Sequence, residues 1–153
     1  MGYTCGLWSL FHIASVGMLE WNRHADAAKV VVSANEAGET MRDFVSNFFG
    51  CEVCRTNFQR EYDACALNRC HRLKDAPKEE NWREFPLWLL EFHNAVNERL
   101  LREKSGEEEL SVEEIQRVQW PSRQECSMCW NSVGKLEAEN VLKYLRIVYW
   151  YVE

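Results

Sequence analysis

Cys51 and Cys54, separated by Glu52 and Val53, form a Cys-x-x-Cys pair directly after Gly50. Glycine closes helices, so the pair is expected to open the next one. Free N–H groups and the dipole at a helix start stabilise a thiolate and lower a thiol's pKa. Two cysteines three apart share a face and can join reversibly. Phe48 and Phe49 before the pair, and Phe58 after it, supply an apolar wall. These are the parts of a redox disulfide beside a hydrophobic pocket. The same spacing also allows a static disulfide. With Cys65, Cys70 and His71 downstream it further allows a four-ligand zinc site. Cys126-x-x-Cys129 is a second pair, but its distance from the first does not match a zinc ribbon.

A second group of residues is polar or aromatic at helical spacing. Trp8 and His12 are four apart and share one face of a first helix. His93, Asn94 and Asn97 share a face of a later one. A single such histidine is usually a satisfied core residue. Burying the three later side chains without partners would cost on the order of 1–3 kcal/mol each. A purine ring or a ribose offers matching donors and acceptors, and Trp120-Pro121 adds a plane that could cover a ring.

Helices must position these groups. Only three prolines and seven glycines interrupt the chain. Apolar residues at Leu7, Trp8, Leu10, Phe11, Ala14 and Met18 predict a helix over 5–21 with Thr4 as N-cap. A second helix is expected over 22–49, stopped by Gly50, and a third over 51–67. Residues 69–81 read as a connection. Pro86 stands near the start of a fourth helix, which runs to about Glu103 with Leu87, Leu90, Val96 and Leu100 on its stripe. An acidic loop follows over 105–109, and Ser111 and Glu114 form a capping box for a short turn. A small helix holds Cys126 and Cys129, and an amphipathic one covers 136–151. No strand alternation competes and no repeat is visible. The fold class is all-α, a four-helix bundle plus a short fifth helix.

At 153 residues the chain fits one domain. Its net charge of -6 argues against nucleic acid, whose phosphates need a basic surface. No apolar stretch is long enough to span a bilayer, since the best one, 144–152, is short and holds Arg146. No signal peptide is visible. Seven tryptophans, seven phenylalanines and five tyrosines suit a flat aromatic ligand, or simply an aromatic core. Seven cysteines indicate an oxidising compartment, a metal site or redox chemistry, and the odd count leaves one without an internal partner.

The motifs taken together are specific. Thr4-Cys5-Gly6-Leu7-Trp8-Ser9-Leu10-Phe11-His12, Phe48-Phe49-Gly50-Cys51-x-x-Cys54, Leu87-Trp88-Leu89, His93-Asn94-x-Val96-Asn97 and Gln119-Trp120-Pro121-Ser122-x3-Cys126-x2-Cys129 occur in this order. The chain thereby resembles, over nearly its whole length, the Erv domain of the quiescin sulfhydryl oxidases.

The resemblance implies FAD at the mouth of the bundle. It makes Cys54 the cysteine nearest the flavin and Cys51 the one that exchanges with an incoming dithiol. Trp8, His12 and Asn57 would contact the flavin, Asn57 standing where the family often has histidine. His93, Asn94, Val96 and Asn97 would line the adenine side, Trp120 would cover the cofactor, and Arg117 would sit near the phosphates. Cys126 and Cys129 would be a structural or auxiliary disulfide. Cys65 and Cys70 lack a family counterpart and are expected to form a local disulfide. No metal is expected. Cys5 resembles a structural cysteine whose partner lies further upstream, and Met1 stands where the family often has arginine. Residues 1–153 are therefore read as an Erv-type domain from a longer chain of the secretory pathway, in the endoplasmic reticulum, the Golgi or secreted.

The expected partners are a dithiol protein or an upstream thioredoxin-like module, and molecular oxygen. A homodimer, or pairing with a degenerate second Erv copy, would cover an apolar flank. The rival reading is a zinc- or disulfide-stabilised helical interaction module.

Overall fold

The computed structural model describes residues 3–26, 30–106 and 109–150, with side chains from Gly6 onward. The all-α expectation holds, and no strand occurs among the described residues. α1 spans Tyr3–Arg23, α2 Ala34–Phe48, α3 Glu52–Asp63 and α4 Glu84–Ser105. These four form the bundle. α5 (Val112–Val118) and α6 (Ala138–Tyr149) flank it. α4 is the central element: Phe85 to Leu90 and Phe92 are all buried on it, and it packs against α1, α2 and α6. Gly106, left-handed at φ 71°, closes it.

The core has two parts. Val45, Phe58, Tyr62, Trp88 and Phe92 centre one, between α2, α3 and α4. Val16, Leu19, Leu90, Val141 and Leu145 centre the other, between α1, α4 and α6. α1 also buries polar groups at helical spacing: His12, Ser15, Glu20 and Asn22. Buried polar groups need partners, and Glu20 takes Arg23 at 2.7 Å and Arg146 at 2.8 Å.

Several boundaries differ from the sequence expectation. The helix expected from Asn22 begins at Ala34. Asn22 instead stands in the last turn of α1, where its side-chain amide donates to Val32 O at 2.7 Å and accepts from Val32 N at 3.1 Å. Ser33 then caps α2 in a reciprocal box with Glu36 and also bonds Asp75 at 2.9 Å. α2 stops at Phe48 with Phe49 extended, and Gly50 is not left-handed. α3 ends at Asp63, short of Leu67, because Cys65, Leu67 and Asn68 turn the chain at positive φ. The expected connection over 69–81 contains single helical turns at Arg69–Arg72 and Glu79–Trp82. Arg72 ties it to α4 through Glu84 at 2.6 Å and Glu91 at 2.7 Å. The Ser111–Glu114 box forms as expected. The small helix near Cys126 is one 3-10 turn, Ser127–Cys129. Thr4 lies inside α1, which begins at Tyr3, and does not cap it; the last helix runs Ala138–Tyr149 with Trp150 as its cap, shorter at both ends than the expected 136–151. The side chain of Cys5, and Glu107 and Glu108, lie outside the described residues.

α2 packs tightly on α3 at Gly38. A Cβ there would stand 2.8 Å from Tyr62 Oη and 3.0 Å from Leu73 Cδ1. Tyr62 is buried and its hydroxyl is held by Glu39 at 3.1 Å, so it cannot yield cheaply. Gly38→Ala would gain about 1 kcal/mol of helix propensity against an overpacking cost of about 1–3 kcal/mol. The expected result is a net loss of stability in urea denaturation; a stabilised variant would contradict this packing.

Candidate active site

The fold places Cys51 as the N-cap of α3, where its sulfur accepts from Cys54 N at 3.3 Å. Cys51 and Cys54 are joined, with Cα atoms 5.2 Å apart. The start of α3 is fixed from behind by Arg55, which donates to Phe49 O at 2.9 Å. Neither cysteine is fully buried, and Phe48 and Val53 beside them are 70% and 71% exposed. An exposed apolar lip therefore surrounds Cys51.

Cys54 faces a cleft of about 100 Å³ on the inner side. Trp8, Phe11, Phe58, Phe92 and Val96 make its walls, and Asn57, Glu61 and Arg99 its polar margin. Helices α1, α3 and α4 thus converge on one sulfur.

Next to this cleft the rings stack. Trp8 lies on His93 with centroids 4.1 Å apart and planes at 10°. His12 Nε2 and His93 Nδ1 are 3.1 Å apart. Trp120 and Tyr149 approach the His12 ring at 4.8 and 5.7 Å. Burial, and then the neighbouring His93, push His12 down to about 3; burial pushes His93 down to about 4. Both rings are neutral at physiological pH, so one can donate to the other. His12 Nδ1 is buried and has no hydrogen-bond partner among the described residues.

The asparagines behave differently from the sequence argument. Asn94 exchanges two 2.7 Å hydrogen bonds with the backbone of Trp120. Asn97 donates to Val118 O at 3.0 Å. Asn94 needs no ligand to be satisfied, and both amides clamp the segment that carries Trp120. Trp8, Cys54, Asn57 and Val96 line the cleft, and His12, His93 and Trp120 form the ring layer beside it. Arg117 is exposed on the last turn of α5.

The sequence reading did not single out Phe92, Arg99 or Tyr149. Phe92 directly precedes His93, and Arg99 lies seven residues further along α4, on the same face by helical repeat. Tyr149 carries no sequence signal, because it reaches His12 only once α6 has folded back on α1.

The four sulfurs of the zinc alternative are taken by two disulfides, Cys51–Cys54 and Cys65–Cys70. Cys126–Cys129 is a third. Among the described residues no cluster of three or more metal-ligating side chains occurs.

The neutral imidazoles give a pH dependence. Both folded pKa values lie below the ordinary 6.5. The stability that this contributes is present above pH 6.5 and is lost as the pH falls from there through about 4 for His93 and towards about 3 for His12, because the unfolded chain binds protons first. The thermal midpoint is expected to drop across that window. The drop should be shallower in His12→Phe; identical profiles would contradict a buried neutral His12.

A family model described as Erv1/Alr matches residues 5–121. Sulfhydryl oxidase 2 of Arabidopsis thaliana is 32% identical over 154 residues, covering 97% of this chain and 26% of the relative. Sulfhydryl oxidase 1 of Homo sapiens is 31% identical over 148 residues, covering 95% and 18%. Sulfhydryl oxidase 1 of Cavia porcellus is 31% identical over 133 residues, covering 87% and 19%. The chain thus spans about a quarter or less of these relatives' length. No solved structure matches it.

Proposed function

The chain belongs to the Erv1/Alr family, and from that membership we propose that it is an FAD-dependent thiol oxidase acting through Cys51 and Cys54. The observation that carries this reading is one disulfide at a helix start, with Cys54 on an apolar cleft and Cys51 beside exposed Phe48 and Val53.

The residues fit a flat heteroaromatic cofactor. His12 Nδ1 is a buried polar atom awaiting a partner, and the rings beside it already stack. Trp8, Phe58, Phe92, Val96 and Asn57 would hold the flavin, with His12, His93 and Trp120 against its rings. Arg117 is free to approach the phosphates as a cation. FAD, when bound, takes two electrons from the reduced cysteine pair and delivers them to molecular oxygen, giving hydrogen peroxide.

The chain's own steps are thiol–disulfide exchange. A substrate thiolate attacks Cys51 Sγ, the Cys51–Cys54 bond breaks, and its electron pair leaves on Cys54 Sγ. The dipole at the start of α3 favours that thiolate, and the Cys54 N–H, which donates to Cys51 Sγ at 3.3 Å, favours Cys51 when it is freed. The second substrate thiol, deprotonated, attacks the substrate sulfur of the mixed disulfide and frees Cys51. The product is a substrate disulfide, and Cys51 and Cys54 are left as a dithiol. Exposed Phe48 and Val53 seat the incoming chain on the Cys51 side, while the aromatic walls keep water from Cys54.

We read residues 1–153 as one such domain. A dithiol protein or a thioredoxin-like module would be the donor, and the secretory pathway the location. Pairing with a second copy or a degenerate one would cover the apolar cleft between α1 and α2, where Leu10 and Phe44 lie. No helix among the described residues is long and apolar enough to cross a membrane.

The test is direct. Protein purified after FAD supplementation is expected to be yellow and to consume oxygen when given dithiothreitol. Colourless protein that takes up no FAD would overturn the reading.

A further inference from the structure

A second disulfide, Cys65–Cys70, lies at the far end of α3 from Cys51 and Cys54. α3 has twelve residues, so its ends are roughly 18 Å apart and the two disulfides cannot exchange directly within one chain. The surroundings of Cys65 and Cys70 are those of a reactive bond. Cys70 is exposed and Cys65 only half-buried. Arg69 between them is 9% exposed and immobilised: its Nε donates to Tyr62 O at 2.9 Å, and its guanidinium lies 3.8 Å over the Tyr62 ring. Arg69 Nη2 reaches Cys70 Sγ at 3.3 Å and Cys65 Sγ at 3.9 Å. A fixed cation beside a sulfur lowers its thiol pKa and makes it a better leaving group.

The backbone adds a driving force. Cys65, Leu67 and Asn68 sit at φ 58°, 54° and 61°. Residues with side chains rarely adopt this left-handed region, and three within four positions is a strained turn. The disulfide closes the turn, so opening the bond lets the backbone relax.

We propose that Cys65–Cys70 is a second thiol-exchange site, opened by a dithiol reductant. The dithiol's thiolate attacks Cys65 Sγ, the S–S bond breaks, and the electron pair leaves on Cys70 Sγ beside Arg69. The dithiol's second sulfur, losing its proton, attacks the reductant sulfur of the mixed disulfide and expels Cys65. The reductant ends as a disulfide; Cys65 and Cys70 have gained two electrons and two protons. The turn is also coupled to the cleft. Ala66 O accepts from Trp88 Nε1 at 3.1 Å, and the fully buried Trp88 ring packs 5.1 Å from Phe92, which lines the cleft.

The experiment uses the Cys51→Ser/Cys54→Ser variant, whose reduction cannot be masked by oxidase turnover. Folded variant, verified by circular dichroism, is exposed to graded dithiothreitol, trapped with N-ethylmaleimide and mapped by peptide mass. Cys65 and Cys70 are expected to be labelled at least about tenfold faster than Cys126 and Cys129, whose Cys129 is fully buried. In the same background Arg69→Lys should keep most of that rate and Arg69→Met should slow it. Labelling no faster than at Cys126 and Cys129, or only in denaturant, would overturn the proposal. Neither result bears on the role proposed for Cys54, which this variant lacks.

Discussion

Cys54→Ala is expected to lower oxygen uptake with dithiothreitol by more than about a thousandfold, as loss of an essential nucleophile does. Cys51, beside exposed Phe48 and Val53, can receive a substrate thiolate, but of the pair only Cys54 lines the cleft. Without its sulfur, the electron pair of the attacked bond has nowhere to go towards the cofactor. The loss is not an unfolding effect. Removing a four-residue disulfide loop costs about 2 kcal/mol, which a domain with one aromatic and one largely aliphatic core withstands. Cys51 in the variant should still form a mixed disulfide when an oxidised thiol reagent is added. Oxygen uptake equal to that of the unsubstituted protein would remove Cys54 from the reaction.

Glu20→Ala is expected to have the largest effect on stability. Glu20 is 0% exposed and joins three elements. Its carboxylate takes Arg23 from its own helix and Arg146 from α6, and Arg23 continues to Glu79 at 2.7 Å. Removing one member of a buried ion pair costs about 3–5 kcal/mol, because the charges left behind lose their counter-charge. Arg146 is 46% exposed and can turn to water, so the lower end, about 3 kcal/mol, is expected. For a chain of this size the thermal midpoint should fall by about 6–12 °C. Calorimetry on Glu20→Ala and the isosteric Glu20→Gln would measure it. A fall smaller than about 2 °C in the alanine variant would mean that the ion pairs add nothing to folding.

The helices were legible because their apolar residues recur at helical spacing and few prolines or glycines interrupt them. α4 and the cysteine pair at the start of α3 were legible for that reason. The boundary between α1 and α2 was not, although Ser33 and Glu36 spell a capping box. Asn22 looked like the start of a helix; its role depends on Val32, ten residues away in a loop with no periodicity. Asn94 and Asn97 were correctly placed on one face but not given their partners. Those partners are backbone atoms of Trp120 and Val118, and backbone leaves no mark in a sequence. The orphaned His12 Nδ1 and the ring of Tyr149 emerge only from packing, since they need α1 and α6 side by side.

The clamp made by Asn94 and Asn97 has a consequence for how the chain can vary. Trp120 takes its register from two amides on α4. Losing either amide would therefore unseat the tryptophan from the imidazoles without altering a single ring.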